Sequence, residues 1–310
     1  MTIDHALELV PELKELYDSD RSTKEIIDMA KKIEGCARHI SVHAAGVVIS
    51  PDALTEHVPL QYDTKGKEDK DGNPVKKIIT QYDMHAVGED GVGLLKFDFL
   101  GIKNLSILAD AVERVKKIKN ITVDIENVPL DDKKTFEMLA RGETIGIFQL
   151  NGSGMTKFLV ELKPTTIHDI NAMVALYRPG PLESIPQYIE RKHDASKVEY
   201  LDPRMKDILD MSYGVITYQD DVLMTAIGLA GYSWLEADKL RKAMGKKIPA
   251  EMQAQKEKLL KGFQEHGLST KKGQELWSQI EPFAAYGFNK AHAASYGRVA
   301  YQTAYMKANF

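Results

Sequence analysis

The chain has 310 residues, 43% of them hydrophobic and 28% charged, and 41 Lys and Arg against 45 Asp and Glu give a net charge of −4. This is ordinary globular composition and predicts about two domains. It excludes a wholly basic protein that coats nucleic acid, and the lack of any apolar run of about 18 residues excludes a membrane span.

The N-terminal sequence and the cysteine content both indicate the cytoplasm. Residues 1–13 are acidic and helical in pattern, and they lack the charged and then apolar segments of a secretion signal. The single cysteine, Cys36, excludes an internal disulfide and a cysteine-rich zinc site, and it fits a reducing compartment.

Residues 1–35 are polar and have the pattern of short helices. Pro11 and the polar segment 18–23 interrupt this pattern, which predicts two helices, the second capped by Ser22 or Thr23. The segment is too short to form a core of its own.

Residues 36–101 change to strand-like patterns. Residues 46–49 (GVVI) are a short apolar run, typical of a strand buried on both faces. The charged segment 64–77 predicts a solvated turn. Two more strands are predicted at 78–82 and 93–100.

Residues 102–310 carry helical signals throughout, and the order of strands and then helices predicts an α+β fold. Thr166 and Asp169 have the spacing of a capping box, and Pro249 opens another helix. Other helix boundaries are predicted at Asp131 or Asp132, Gly142, Pro179, Gly267, Thr270 and Gly287. The last ten residues continue an amphipathic pattern without a stop signal, so we expect a segment of a longer protein.

Asp98 is the most unusual residue of the predicted strands. Alternation places Lys96 and Asp98 on one face, and Phe97 and Phe99 on the other. A carboxylate removed from water is costly unless it is paired or bound to a metal. Two interpretations are open: an ion pair with Lys96 or an arginine on a half-exposed face, or a metal-binding carboxylate with Lys96 nearby to meet phosphate.

A magnesium site for phosphoryl transfer needs several converging oxygen ligands, which Asp98 alone does not provide. Two pairs of acids, Asp18 with Asp20 and Asp69 with Asp71, have D-x-D spacing, but both lie in polar turn sequences. The partners of Asp98 are therefore expected outside this chain.

Residues 239–261 form a basic cluster of eight Lys or Arg and two Glu, a local net charge of +6. Lys239, Lys242 and Lys246 recur on one helix face. Either this face binds phosphate, or it is solvated and Lys246 and Lys247 complement a helix C-terminus.

Three further features are ambiguous from the sequence. Residues 286–292 (YGFNKAH) interleave aromatic rings with cations, which suits a base or a triphosphate, although a packed corner between helices is the simpler explanation. Arg178, before Pro179, is either a phosphate ligand or a helix C-terminal charge. His43 alone is more typical of a core histidine than of a ligand.

Seven motifs then occur in one order along the chain. They are HAAGVVIS at 43–50, LLKFDFLGIKNL at 94–105, IFQLNGSGM at 147–155, ALYRPGPLES at 175–184, YGVITYQDDV at 213–222, KLRKAMGKK at 239–247 and YGFNKAHAASYG at 286–297. Together they resemble the alpha subunits of bacterial DNA polymerase III, the C family of replicative polymerases. The resemblance runs from about residue 5 to the end.

The resemblance implies a domain organisation. Residues 1–35 would be the end of the thumb, and residues 102–310 the mostly helical fingers. Residues 36–101 would be part of a nucleotidyltransferase-like palm sheet of the polymerase beta type.

It also implies roles for single residues. Asp98 matches the third of three metal-binding palm aspartates, and Lys96 matches the lysine beside it at the nucleotide site; these two are the implied catalytic residues. The D-x-D motif that carries the other two aspartates has no match in this chain. Residues implied to contact nucleotide or DNA are Arg178, Arg241, Lys242, Lys246, Lys247, Asn289, Lys290 and His292, with His43 near the active centre.

By resemblance, the complete protein is a DNA-directed DNA polymerase of replication that adds dNTPs to a primer 3′-hydroxyl with Mg²⁺ by two-metal phosphoryl transfer. Its implied partners are primer–template DNA and dNTPs, with a sliding clamp and other replisome subunits bound by regions absent here. Because two aspartates are missing, we expect this chain alone to be inactive. The alternative is a non-catalytic module that binds DNA or nucleotide; a metal phosphohydrolase is least favoured, since Asp98, His43 and His85 make a poor cluster.

Overall fold

The structure is a computed structural model that describes residues 2–36, 40–63, 67–68, 71–88, 91–246, 249–284 and 287–310. The chain divides into two compact units, Met1–Gly101 and Ile102–Phe310. None of the helices in the described ranges is long and apolar enough to cross a membrane.

Three short helices open the first unit, namely α1 (Ile3–Leu9), α2 (Pro11–Ser19) and α3 (Arg21–Ile33). The prediction of two helices was wrong, because the chain is extended both at Val10, before Pro11, and at Asp20. The predicted cap was also wrong. The Asp20 carboxylate, rather than Ser22 or Thr23, caps α3 by accepting a hydrogen bond from the Thr23 amide at 2.7 Å.

The described strands of this unit pair as three antiparallel two-stranded sheets. They are β1 (Gly46–Ile49) with β6 (Leu95–Asp98), β2 (Leu60–Tyr62) with β5 (Ile78–Thr80), and β3 (Lys67–Glu68) with β4 (Pro74–Val75). A one-turn helix, α4 (Met84–Val87), precedes β6. In the first sheet Gly46 lies opposite Asp98, and Val48 lies opposite Lys96.

The strands predicted at 78–82 and 93–100 are thus confirmed, although both are shorter than expected. The segment 64–77 is more ordered than a simple turn, because β3 and β4 pair within it. Its residues 64–66 and 69–70 lie outside the described residues.

One face of the sheet formed by β1 and β6 is uncovered. Val47 and Ile49 of β1, and Leu95 and Phe97 of β6, are each about half exposed, and the Phe97 ring stacks on Phe99. The prediction that β1 is buried on both faces was therefore wrong. Among the described residues no second layer covers this side, so alternate side chains remain in solvent.

The regular secondary structure of the second unit is entirely helical in the described ranges. Its helices are α5 (Lys103–Lys119), α6 (Lys133–Ala140), α7 (Ser153–Leu162), α8 (Ile167–Leu176), α9 (Ile185–His193), α10 (Lys206–Leu209), α11 (Gln219–Ala230), α12 (Trp234–Lys246), α13 (Pro249–Glu265), α14 (Thr270–Ile280) and α15 (Lys290–Asn309). With the small sheets of the first unit, this confirms the α+β class.

The core of the second unit is one continuous apolar cluster. Helix α15 packs against α8 and α6, and α11 packs against α12 and α13. The largest side chains with no measurable exposure include Tyr188, Tyr301 and Phe263. This core supports the ends of α8, α11 and α15, where several of the predicted binding residues lie.

Local capping signals explain where these helices begin. Both hydrogen bonds of the Thr166–Asp169 capping box form, which confirms that prediction. Asp132, rather than Asp131, caps α6 by accepting from the Thr135 amide at 2.9 Å.

Later helix boundaries agree less evenly with the sequence. Helix α13 begins at Pro249, as predicted, because proline at the first helical position loses no hydrogen bond. Helix α14 begins at Thr270, as predicted, but ends at Ile280 and continues as a tighter 3-10 turn over Glu281–Ala284. The end predicted near Gly287 was therefore too late.

Candidate functional site

Asp98 closes β6 beside the two residues that the sequence associates with it. One carboxylate oxygen, Oδ1, lies 3.7 Å from Lys96 Nζ and 3.8 Å from His43 Nδ1. Both distances exceed that of a hydrogen bond, and the Asp98 side chain is 54% exposed. Asp98 therefore lies at ion-pair distance from Lys96, and about half of its side chain remains exposed.

His43 shapes the turn before β1 instead of packing in the core. Its Nδ1 accepts hydrogen bonds from the backbone amides of Gly46 at 2.8 Å and Ala45 at 3.2 Å. A ring nitrogen that accepts has no proton to donate, so Nδ1 cannot donate to Asp98 in this state. The interpretation of His43 as a core histidine was wrong, because its side chain is exposed.

The ligand set for a metal ion is incomplete. Within the described ranges, no three His, Cys, Asp or Glu side chains are grouped so that they could hold a metal ion. Asp98 offers the hard oxygen atoms that Mg²⁺ prefers, but one carboxylate does not make a site. The residues that the structure describes thus fit one ligand of a magnesium site and not the whole of it.

A cavity of about 610 Å³ lies beside this group, between the sheet of β1 and β6 and the sheet of β2 and β5. Lys96 and His43 line it together with Lys77 and Asp83. This volume is within the range of small-molecule sites. The first unit therefore has room for a ligand in contact with Lys96.

In the second unit, Arg178 lies on an aromatic ring. It follows α8, where the turn through Pro179 ends in Gly180 at φ +90°, a value that favours glycine. The guanidinium carbon lies 3.8 Å from the centroid of the Phe288 ring, a cation–π contact. Burial lowers the pKa of Arg178 from its ordinary value, but an arginine stays charged at neutral pH.

Phe288, His292 and Tyr296 form a row of contacting rings at the start of α15. The ring of Phe288 lies 4.9 Å from that of His292, which lies 4.1 Å from that of Tyr296. The spacing of four residues places His292 and Tyr296 on one face of α15, and Phe288 lies just before the helix begins. The Phe288 ring therefore contacts both Arg178 and His292.

The N-terminus of α15 is held by residues of α11. The Asn289 side chain caps α15 by accepting from the His292 amide at 2.9 Å. The Asp220 carboxylate accepts from the Lys290 amide at 2.8 Å, and the Gln219 amide donates to the Phe288 carbonyl at 3.0 Å. The structure thus brings Arg178, Asn289, Lys290 and His292 together around Phe288.

Sequence reasoning missed the parts played by Phe288 and Asp220. Both lie in motifs that carry the family resemblance, but a ring that supports Arg178 and an acid that binds the Lys290 amide have no local signal. Asp220 and Lys290 are 70 residues apart in the chain. The simpler interpretation of 286–292, a packed helix corner, is correct for the buried Phe288, while Asn289, Lys290 and His292 are exposed.

The other predicted cations that the structure describes lie on α12. Arg241 binds the Asp238 carboxylate at 2.7 Å, and Lys242 lies 3.6 Å from the same carboxylate. Lys246 is the last residue of α12, and Lys247 lies outside the described residues. The binding roles of all these residues stay predictions.

Asp221 is a buried carboxylate on α11, next to Asp220. It lies at the start of α11 and accepts from the amides of Thr217 at 2.8 Å and Tyr218 at 2.9 Å. Burial raises the pKa of Asp221 to about 6. The two hydrogen bonds and the charge of Lys290 oppose this effect but do not cancel it.

The Asp221 pKa predicts a pH dependence of stability. Because the folded-state pKa lies above the ordinary value of 3.8, Asp221 favours folding at low pH and loses that contribution as the pH rises from about 4 through 6. The loss corresponds to about 3 kcal/mol. In Asp221→Asn, whose amide oxygen still accepts both hydrogen bonds, this part of the slope should vanish.

Urea unfolding at several pH values between 4 and 8 measures the effect. The variant should gain stability relative to the wild type as the pH rises, and parallel curves for the two proteins would contradict the assignment. Asp207→Asn, which changes an exposed acid on α10, is the control and should follow the wild type.

Comparison with known proteins gives a consistent family. The family model described as "Bacterial DNA polymerase III alpha subunit finger domain" matches residues 104–267, and that described as "Bacterial DNA polymerase III alpha NTPase domain" matches residues 1–101. Three curated relatives are each called DNA polymerase III subunit alpha. The protein from Thermus aquaticus is 46% identical over 99% of this chain and 25% of its own length. That from Escherichia coli K12 is 41% identical over 100% and 27%, and that from Aquifex aeolicus is 43% identical over 97% and 25%.

The chain thus spans about a quarter of the length of the curated relatives it matches. The finger-domain match alone covers more than half of the chain, and the second match covers most of the remainder. On this basis, the chain belongs to the family of bacterial DNA polymerase III alpha subunits.

Proposed function

We propose that the complete protein containing this chain is a DNA-directed DNA polymerase of replication. It would add dNTPs to the 3′-hydroxyl of a primer paired to a template. The observation that carries the proposal is the Asp98 carboxylate, which lies beside Lys96 in the family motif LLKFDFLGIKNL and is free of hydrogen bonds within the described residues.

In this chain Asp98 forms the ion pair with Lys96 that is one of its two interpretations, so the metal assignment rests on the place of Asp98 in the family motif. A stabilising ion pair would bring Lys96 Nζ to hydrogen-bonding distance, and the 3.7 Å separation on a half-exposed face contributes little. We assign Asp98 as one ligand of Mg²⁺, with the remaining carboxylates outside this chain. When bound, Mg²⁺ neutralises phosphate charge and activates the attacking hydroxyl.

Lys96 has a complementary part in this assignment. Its side chain lines the cavity of the first unit and is mostly covered, so its charge is less screened than that of an exposed lysine. We assign it to a phosphate of the nucleotide at that cavity. His43, whose Nδ1 is occupied by backbone amides, orders the turn that ends opposite Asp98.

The second unit would supply positively charged side chains that bind the triphosphate or the template. Arg178 is held by the Phe288 ring, and Lys290 and His292 lie on the first turn of α15. Asp220 occupies the Lys290 amide, so the exposed cationic side chains rather than the helix end carry the expected attraction. Arg241, Lys242, Lys246 and Lys247 would extend this surface.

We further assign residues 1–35 to the end of the thumb, 36–101 to part of the palm and 102–310 to the fingers. A partial palm explains the small core of the first unit, whose buried apolar side chains in the described ranges are only Leu7, Val58 and Val87. We assign this unit to a nucleotidyltransferase-like palm whose remaining strands would lie in other parts of the complete protein. A sliding clamp and other replisome subunits would bind elsewhere in the complete, cytoplasmic protein.

Primer extension tests the function. With Mg²⁺, a primed template and four dNTPs, the complete protein should extend the primer, and omission of one dNTP should stop extension at its template position. The 310-residue chain alone should give no templated product, since Asp98 is the single metal ligand that we assign among its described residues. A complete, folded protein that fails to extend would contradict the polymerase assignment, and extension by the chain alone would contradict the incomplete site.

For the chain by itself, one observation favours the second candidate function. The described residues contain no complete metal group, while exposed cations and a cavity of ligand size are present. We therefore propose that the isolated chain acts as a DNA- or nucleotide-binding module without chemistry.

A further inference from the structure

Gly154, on the first turn of α7, lies against the hydroxyl group of Tyr177. A Cβ atom at position 154 would overlap Tyr177 Oη and would lie 3.2 Å from Tyr177 Cζ. Only glycine therefore leaves room for the hydroxyl, because non-bonded carbon atoms prefer separations of about 3.5–4.0 Å. Glycine is a weaker helix former than alanine, and the close approach of Tyr177 accounts for its presence in this helix.

The rest of the Tyr177 ring packs along the same helix. Its centroid lies 6.1 Å from that of Phe158, with an angle of 70° between the ring planes, which is an edge-to-face contact. Gly154 and Phe158 are four residues apart and therefore share one face of α7. The Tyr177 side chain thus follows the surface of α7, and its direction is set by this contact.

The backbone of Tyr177 forms the tight turn that ends α8. Its φ and ψ angles are −75° and 67°, and the Arg178 amide donates to the Leu176 carbonyl at 2.7 Å. These are the features of an inverse γ-turn. The Arg178 carbonyl accepts from the Leu182 amide at 3.0 Å. Because hydrogen bonds hold the backbone on both sides of Arg178, a displacement of Tyr177 should also displace Arg178.

The same arrangement brings three of the family motifs together. Gly154 and Arg178 belong to the motifs at 147–155 and 175–184, and Phe288 belongs to a third. The motif at 147–155 contains none of the residues to which we assign a ligand. A role in positioning Arg178 would account for this motif.

We propose that Gly154 is a positioning residue for Arg178. Because it admits the Tyr177 hydroxyl at the start of α7, Gly154 holds the γ-turn in the orientation that places the Arg178 guanidinium on the Phe288 ring. The consequence for activity rests on the proposed function, in which Arg178 binds the triphosphate or the template. The position of Arg178 itself does not depend on that function.

Gly154→Ala tests the contact directly. The added methyl group should displace the Tyr177 ring and with it Arg178. Tyr177→Phe removes the overlapping hydroxyl and leaves Cζ at 3.2 Å, which a small shift of the ring accommodates, so the double variant should behave nearly as the wild type. Gly228→Ala of α11 is the matched control, because its added Cβ atom would meet only Ile208 Cδ1 at the ordinary contact distance of 3.7 Å.

Nuclear magnetic resonance measures the position of Arg178 without any activity. The ring current of an aromatic face shifts protons that lie over it to low frequency, so Phe288 should shift the Arg178 Nε–H resonance of the 310-residue chain. Arg178→Lys assigns this resonance by removing it. Gly154→Ala should move the resonance towards those of exposed arginines, whereas the double variant and Gly228→Ala should leave it in place. A purely structural role would lower the melting temperature without moving this resonance.

Primer extension by the complete protein measures the consequence for activity. A misplacement of 1 Å can cost about 100-fold in rate. Gly154→Ala should therefore lower kcat/KM for dNTPs by about tenfold or more, mainly through KM, since Arg178 is assigned to binding. In an Arg178→Ala background the same substitution should cause little further loss. An equal loss in both backgrounds would contradict a role that acts through Arg178.

Two further results would overturn the proposal. One is an Arg178 resonance that Gly154→Ala does not move, which would mean that the Tyr177 ring turns into solvent without effect on Arg178. The other is a double variant that does not recover the wild-type resonance. Tyr177→Ala removes the ring without crowding α7, so it tests the contact even if Gly154→Ala impairs folding, and an unmoved resonance there also overturns the proposal. If the complete protein fails to extend primers, the polymerase assignment is wrong, while the resonance still decides the role of Gly154.

Discussion

Asp98→Asn in the complete protein is expected to reduce templated primer extension more than 100-fold while DNA affinity changes less than about threefold. The asparagine amide keeps the shape of the side chain but removes the negative charge of the carboxylate, which we assign as a metal ligand. Removal of a group that only orients a metal ligand lowers metal affinity or activity roughly 10–100-fold. Loss of a ligand itself should therefore lower primer extension by more than this. Single-turnover extension and DNA binding by fluorescence anisotropy measure the two quantities.

The first unit provides a matched control for this experiment. Asp52 lies 3.8 Å from His57 Nε2, the same kind of acid–histidine separation as that of Asp98 and His43. Asp52→Asn should leave extension unchanged. If Asp98→Asn retained activity within a few-fold of the wild type, Asp98 would return to the status of a surface acid near a lysine.

The largest loss of stability is expected for Asp169→Ala in the second unit. The Asp169 side chain is fully buried and lies 3.2 Å from Lys192 Nζ, whose side chain is 7% exposed. Its carboxylate also accepts from the amides of Thr165 at 2.9 Å and Thr166 at 3.1 Å and from the Tyr188 hydroxyl at 3.3 Å. Removal leaves a buried ammonium and several donors without their acceptor, which should cost about 3–5 kcal/mol of unfolding free energy.

Urea unfolding of a double-mutant cycle tests this prediction. Lys192→Met added to Asp169→Ala should recover part of the loss, because it removes the uncompensated charge. Glu113→Ala, which breaks an exposed pair with Lys117 at 2.6 Å on α5, is the control and should cost less than about 1 kcal/mol. If Asp169→Ala also cost less than about 1 kcal/mol of unfolding free energy, water would have to reach Lys192 and replace the missing carboxylate.

Features that depend on a few neighbouring residues were predicted well. The Thr166–Asp169 capping box and the proline start of α13 are examples, since the hydrogen bonds or steric limits involved act within one helical turn. The placement of Lys96 and Asp98 on one strand face was predicted for the same reason, because a strand alternates its side chains.

Predictions of burial were less successful, because burial depends on what covers a segment. The apolar run 46–49 was interpreted as a strand covered on both faces, but Val47 and Ile49 are half exposed in the β1–β6 sheet. His43 was interpreted as a core residue and is exposed. Neither sequence pattern contains information about whether a second layer is present.

The sequence by itself determined the family and several helix starts, such as those of α8, α13 and α14, because motifs and caps consist of contiguous residues. Only the tertiary structure decided that Phe288 supports Arg178 and that Asp220 holds the start of α15. These contacts join residues far apart in the chain. Their geometry is set by packing of whole helices, for which no short stretch of sequence carries a signal.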